Sequence, residues 1–124
     1  MSDVKDRRGL VREAVDWESY DLIIDFEPPN PRLIVRGETP YPMEIVIEPA
    51  PEVVALPEYW PTFVVGYRDE IVTEVVTPFE VSIGLGKLSS GTKGIELIGK
   101  TKHQNIDLPG AAVAEPGAAR KAER

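Results

Sequence analysis

The fold is indicated most clearly by the stretch Phe79-Glu80-Val81-Ser82-Ile83-Gly84-Leu85, in which apolar residues alternate with polar or small ones. Alternation with a period of two places one face of a β-strand on a core and the other in water. Further strand-like stretches lie on both sides of it, at 22–26, 32–36, 43–48, 63–67, 71–76 and 95–97. The chain is therefore predicted to be a succession of short strands.

The breaks between these stretches are rich in proline and glycine, and nine of the 12 prolines lie between Pro28 and Pro61. Proline cannot donate to a β-ladder, so these residues are expected at strand ends, edges or bulges. No helical pattern of 10–15 residues separates the strands, which argues against a parallel α/β sheet. We predict an all-β fold over residues 18–108, an antiparallel, immunoglobulin-like β-sandwich of six to eight strands. A small β-barrel is the alternative.

The two ends of the chain differ from this middle. Leu10, Val11, Ala14 and Val15 recur at helix-like spacing, which predicts a partly helical or disordered N-terminal arm over residues 1–17. Residues 109–124 are alanine, glycine, proline and charged residues with one valine and no aromatic side chain. Such a segment buries too little apolar surface to offset its ordering entropy, so a disordered C-terminal tail is predicted.

The charge balance limits the classes of partner. The 124 residues contain 21 acids and 14 Lys and Arg, a formal net charge of −7. This field repels phosphate backbones and anionic membrane surfaces, so neither nucleic-acid binding nor membrane insertion is expected. The charge is uneven: residues 13–80 have 15 acids and three bases, whereas residues 81–110 have two acids and four lysines. A protein partner or self-association between the two regions is therefore expected.

Cysteine and histidine usage limits the chemistry. The chain has no cysteine, which excludes disulfides, thiolate zinc sites and cysteine nucleophiles. Its one histidine, His103, lies in a polar stretch that indicates a surface position. No apolar run is long enough to span a membrane, and a cytoplasmic location is expected. We expect a protein that is not an enzyme and holds neither a cofactor nor a metal.

Two weaker patterns remain as alternatives. Gly86 and Gly91 have the spacing of a phosphate loop, but Thr92-Lys93 reverses the order that the motif requires. A hairpin connection is predicted there, or an anion-binding loop that uses backbone N–H groups. Acids near strand ends keep a calcium site open, and these are Asp25, Glu27, Asp69 and Glu70.

The most informative segment is Pro49–Pro61, which is long for a connection between strands and contains four prolines and the pair Tyr59-Trp60. Aromatic residues on a proline-stiffened loop are typical of binding hot spots. We predict a recognition loop whose contact residues are Leu56, Pro57, Tyr59, Trp60 and Pro61. In the other interpretation Val54, Leu56 and Trp60 fold back and plug one end of the core.

These observations favour a non-catalytic protein–protein interaction or assembly module, which binds through the Pro49–Pro61 loop and through strand addition at sheet edges. The alternative function is a small-ligand β-sandwich that binds carbohydrate or calcium.

Overall fold

The computed structural model describes residues 5–6, 9–25, 27, 31–53 and 55–108. Within these residues the chain is mostly β, as predicted. It forms nine strands, which are β1 (Lys5–Asp6), β2 (Leu10–Ala14), β3 (Ser19–Ile23), β4 (Arg32–Thr39), β5 (Glu44–Pro49), β6 (Tyr59–Arg68), β7 (Thr77–Gly84), β8 (Gly94–Ile98) and β9 (His103–Asp107). A 3₁₀ turn, Leu85–Lys87, follows β7. The predicted disordered tail, 109–124, lies outside the described residues.

The strands form two sheets. Strands β3, β4 and β7 form a three-stranded sheet in that order, and the other six form the second sheet. Strand β6 is the centre of the six-stranded sheet. Strand β5 pairs along one of its edges, while β8 and β2 share the other, with β8 on residues 59–63 and β2 on residues 65–68.

One strand pair departs from the predicted antiparallel arrangement. Strands β6 and β8 are parallel, with Tyr59 opposite Gly94 and Phe63 opposite Ile98. The reason is the path of the chain, because β7 lies in the other sheet and carries the chain back before β8 begins. Strand β8 therefore begins at the end of the molecule where β6 begins, and the two strands run in the same direction.

The predicted helical turns near the N-terminus are wrong, because Leu10–Ala14 forms β2. Gly9 has a φ of +89°, which gives the turn from β1 into β2 at little steric cost. Strand β2 then pairs with β6, with Val11 opposite Arg68. Backbone hydrogen bonds to a strand more than 50 residues away outweigh a weak local helical pattern, which cannot reveal such a partner.

Both sheets contribute to one hydrophobic core. Leu33 and Val35 come from the three-stranded sheet, and Val64, Ile95 and Leu97 come from the other; all five side chains are fully buried. Burial of each such side chain contributes about 1.5–3 kcal/mol relative to its exposure. The alternation in β7 has the predicted effect, since Phe79, Val81 and Ile83 pack against this core.

The connection between β2 and β3 is fastened to the turn between β8 and β9. The Asp16 carboxylate accepts hydrogen bonds from the Thr101 amide at 2.8 Å and hydroxyl at 2.5 Å. Lys102 Nζ donates to the Trp17 carbonyl at 2.8 Å and lies 4.9 Å from the centre of the indole ring. Trp17 is 4% exposed, so these contacts close the core over its ring.

Candidate interaction surfaces

The predicted recognition loop is the connection between β5 and β6, residues 50–58, together with the first residues of β6. Among the described residues of the loop, Leu56 is the most exposed large apolar side chain, with 63% of its surface in solvent; Val54, which the plugging interpretation includes, lies outside the described residues. Pro57 and Tyr59 are half-buried beside it. Leu56 is therefore the main exposed apolar side chain that the structure describes in this loop, with Pro57 and Tyr59 at its border.

Trp60 faces the core rather than the solvent. It lies opposite Ile95 in the β6–β8 register, it is half-buried, and it packs against the hydrophobic cluster. Its indole N–H donates to the Ala50 carbonyl at 2.8 Å, and the Ala50 N–H donates to the Pro61 carbonyl at 2.9 Å. Trp60 therefore packs on one end of the core, as the second interpretation of the loop predicts. Leu56, in contrast, points away from the core.

Tyr59 is held by the end of β9. Its hydroxyl donates to Asp107 Oδ1 at 2.6 Å. This hydrogen bond is the main cause that raises the pKa of Tyr59, and the charges of Asp107 and Glu58 add to it. The phenol therefore remains a neutral donor near pH 7, and its position at the border of the loop is fixed.

The glycine-rich segment 86–94 lies against the recognition loop, and it is not the predicted hairpin because β7 and β8 lie in different sheets. The amides of Thr92, Lys93 and Gly94 donate to the carbonyls of Pro57 and Glu58 at 2.8–3.1 Å, and the Gly91 amide donates to the Gly94 carbonyl. The N–H groups of residues 91–94 are therefore already used and cannot bind an anion as the alternative expects. Strand β8 follows, where a phosphate loop requires a helix.

A second apolar surface lies at the other end of β6, in the connection to β7. Ile71 is 91% exposed, Val76 63% and Val75 53%. The sequence predicts a strand at 71–76 from its β-branched residues, but the structure has no strand there. The neighbour that would pair with it is missing, because β4 ends at Thr39, which lies opposite Thr77.

This connection borders an open groove of about 540 Å³. The groove lies where β2 and β5 begin and β6 ends. It is lined by Leu10, Pro42, Met43, Glu44, Tyr67, Arg68, Asp69, Ile71, Val72 and Thr73. We call these residues, together with Val75 and Val76, the β6–β7 surface. Strand β6 spans ten residues, so this surface and Leu56 lie roughly 30 Å apart at opposite ends of it.

The walls of the groove are fixed by a cluster of Glu13, Tyr41 and Arg68. The Tyr41 hydroxyl donates to Glu13 Oε1 at 2.8 Å, and Arg68 Nε donates to Glu13 Oε2 at 2.6 Å. The Arg68 guanidinium also lies 5.1 Å from the centre of the Tyr41 ring. The hydrogen bond to Glu13 is the main cause that raises the pKa of Tyr41 and that of Arg68.

A matching cluster lies on the other face of the same strands. Arg12 Nη2 donates to Glu48 Oε1 at 2.9 Å, and the Tyr67 hydroxyl donates to Glu48 Oε2. Burial, followed by this hydrogen bond, raises the pKa of Tyr67, which is 4% exposed. The two clusters join β2, β5 and β6 through side chains as well as backbone, so the groove has a preformed wall.

The outer face of the three-stranded sheet carries charged residues of both signs. Arg36 bridges Asp21 at 2.6 Å and Glu80 at 2.9 Å across neighbouring strands. A shallow groove of about 470 Å³ adjoins this bridge, and its lining includes Glu18 and Glu38. Exposed ion pairs of this kind add little to stability.

The acids considered for calcium do not converge. Asp25 Oδ1 accepts the Glu27 amide at 3.2 Å, and the Asp69 and Glu70 carbonyls accept Arg68 Nη1. Over the part of the chain that the structure describes, no group of three or more His, Asp or Glu side chains is arranged to hold a metal. His103 is exposed, as expected, with Nδ1 3.1 Å from Glu96 Oε2.

Carbohydrate binding usually needs exposed aromatic rings on which a sugar stacks, and the four candidate rings here are engaged. Trp60 packs on the core, Tyr67 is buried, and the Tyr41 ring is covered by Arg68. The Tyr59 ring borders the recognition loop, and its hydroxyl is bound to Asp107. No observation favours the carbohydrate alternative.

Comparisons with protein-family models, with curated proteins and with solved structures gave no significant match. Among the described residues, no helix is long and apolar enough to span a membrane.

Proposed function

We propose that this chain is a non-catalytic protein–protein interaction or assembly module whose main contact is the β6–β7 surface. One observation carries the proposal. Of the five large hydrophobic side chains that are exposed among the described residues, three lie within the six residues from Ile71 to Val76. Contiguous exposed apolar surface beside a groove is typical of a binding site on a soluble protein, whereas scattered single residues are not.

The predicted recognition loop is the second contact in this proposal. Leu56 contacts the partner, with Pro57 and Tyr59 beside it. Trp60 and Pro61 hold the base of the loop against the core. Because the loop and the β6–β7 surface lie at opposite ends of β6, one module has room for two partners, or for one partner that spans its length.

The finer architecture that we propose is an immunoglobulin-like sandwich. Its support is the single core to which both sheets contribute. Among the described strands, one edge each of β1, β3, β5, β7 and β9 has no partner strand. Strand addition at an open edge is an established way for β-domains to bind peptides.

The test has two steps. Size-exclusion chromatography with light scattering, at two protein concentrations, first shows whether the chain associates with itself. Quantitative capture from lysate then compares the wild type with the triple variant Ile71→Ser, Val75→Thr, Val76→Thr. The matched control is Ile24→Ser, because Ile24 is 50% exposed and lies just after β3 in the other sheet.

We expect the triple variant to lose at least tenfold of the specific association, whether with itself or with a captured protein, while Ile24→Ser retains it. All three residues are exposed, so melting temperatures should stay within a few degrees of the wild type. Equal association by the wild type and the triple variant would contradict the proposal.

A further inference from the structure

We infer that the β6–β7 surface binds an extended segment of another protein in which apolar residues alternate with Lys or Arg. The inference rests on the proposed function and adds the chemistry of the partner. Three features of the surface support it: its apolar lining, the backbone of the loop, which is not paired with another strand, and its charge.

The apolar lining fits extended side chains. Leu10, Pro42, Met43 and Val72 line the groove, and Ile71 stands at its border with nearly all of its surface in solvent. Alternate side chains of a strand lie about 7 Å apart on one face, so an extended segment presents apolar groups to such a lining at every second residue.

The loop backbone has hydrogen-bonding capacity to spare. Among the described residues, two hydrogen bonds use the backbone of 71–76: the Val75 amide donates to the Thr73 carbonyl at 2.9 Å, and the Val75 carbonyl accepts from Thr77 Oγ1 at 2.6 Å. The segment Ile71-Val72-Thr73-Glu74-Val75-Val76 has high β-propensity and no proline or glycine. A segment with these properties readily pairs with an added strand.

The charge of the surface selects a basic partner. Two acids, Glu44 and Asp69, line the groove, and the exposed Glu74 lies in the connection beside it. Arg68 is the one cation among the described lining residues; it is engaged by Glu13 at 2.6 Å and donates to the Asp69 and Glu70 carbonyls. A second copy of this chain, with its net charge of −7, is repelled by the same field. A segment with Lys or Arg at alternate positions is attracted.

The test measures fluorescence anisotropy of three labelled ten-residue peptides against the full chain. In the first peptide Val alternates with Lys, in the second Ser alternates with Lys, and in the third Val alternates with Glu. We expect the Val/Lys peptide to bind at least tenfold more tightly than either control, and its binding to weaken as salt is raised. The Ile71→Ser, Val75→Thr, Val76→Thr variant should lose tenfold, and Ile24→Ser should lose none.

The outcomes separate the two proposals. Equal binding of the Val/Lys and Ser/Lys peptides would reduce the effect to general electrostatics and overturn the inference. A dimer of the wild type that the triple variant loses would also overturn it, because the occupant is then a second copy. If the triple variant loses protein capture while no peptide binds, the inference fails and the interaction module stands. If the triple variant changes neither protein capture nor peptide binding, the interaction module and the inference about its partner both fail.

Discussion

Replacement of Trp60 by alanine distinguishes a core residue from a binding hot spot. Truncation of a buried Trp to Ala costs about 3–5 kcal/mol, and a half-buried ring belongs at the low end of this range. The hydrogen bond from the indole to the Ala50 carbonyl accounts for about 1 kcal/mol of the loss. We therefore expect the free energy of unfolding to fall by about 3 kcal/mol and the melting temperature by roughly 12 °C.

The assay is urea unfolding followed by fluorescence, because Trp17 is buried and remains as the reporter in the variant. Trp60→Phe keeps most of the ring contact and loses the hydrogen bond, so it should lie between the wild type and Trp60→Ala. Leu56→Ala is the matched control, since a side chain that is 63% exposed should change the free energy by less than about 0.5 kcal/mol. The reasoning is refuted if Trp60→Ala unfolds like the wild type.

Two further predictions concern contacts that fasten the fold. In Gly91→Ala the new Cβ would clash with the Pro57 carbonyl oxygen, so we expect a loss of about 2–3 kcal/mol in urea unfolding; Gly86→Ala, whose Cβ meets nothing within 4 Å, should be nearly neutral. Burial raises the pKa of Asp16, but the combined hydrogen bonds from Thr101 and neighbouring amides outweigh it and hold the pKa below its ordinary value. The carboxylate therefore stabilises the fold above the unfolded pKa, about 4, and this contribution is lost as the pH falls through the lower folded value. Asp16→Asn should thus lose stability at pH 7 and show a weaker acid dependence than the wild type.

An unchanged Gly91→Ala would mean that the segment at 86–94 does not rest on the recognition loop. For Asp16, parallel stability curves of the wild type and Asp16→Asn between pH 2 and pH 5 would contradict the hydrogen-bond account.

Strand content is readable from the sequence wherever one face of a strand meets the core. The alternation in Phe79–Leu85 follows the pleat of β7, and Leu33 and Val35 occupy the inner face of β4 in the same way. In both strands a side-chain period of two is a direct consequence of strand geometry, and it needs no knowledge of the partner strand.

The two predictions of secondary structure that fail, the helix near the N-terminus and the strand at 71–76, depend on which strands pair. Leu10–Ala14 is too short an apolar stretch for periodicity to separate helix from strand, and its partner β6 lies far along the chain. Residues 71–76 have the propensity of a strand, but β4 ends opposite Thr77 and leaves them without a neighbour. Neither fact is visible in local sequence.

Local sequence is also insufficient to separate binding residues from core residues in the recognition loop. Leu56 and Trp60 lie four residues apart in one proline-rich segment, and their composition assigns them equally to recognition or to the core. Their difference comes from register, since Trp60 lies opposite the buried Ile95 while Leu56 precedes the strand. The β6–β7 surface is not visible in the sequence, because residues 71–76 have the pattern of a strand and predict one.

The shared edge of β6 sets the order in which this protein can acquire its structure during synthesis. Strand β2 is made first, but its partner residues, 65–68, leave the ribosome more than 50 residues later. Residues 59–63 of β6 remain without their partner on this edge for longer, because β8 is made only after β7. Closing loops of this size is slow relative to local structure formation. Strand β2 therefore has β1 as its partner early but waits for β6 through much of translation, and the shared edge of β6 is complete only after β8 has been made.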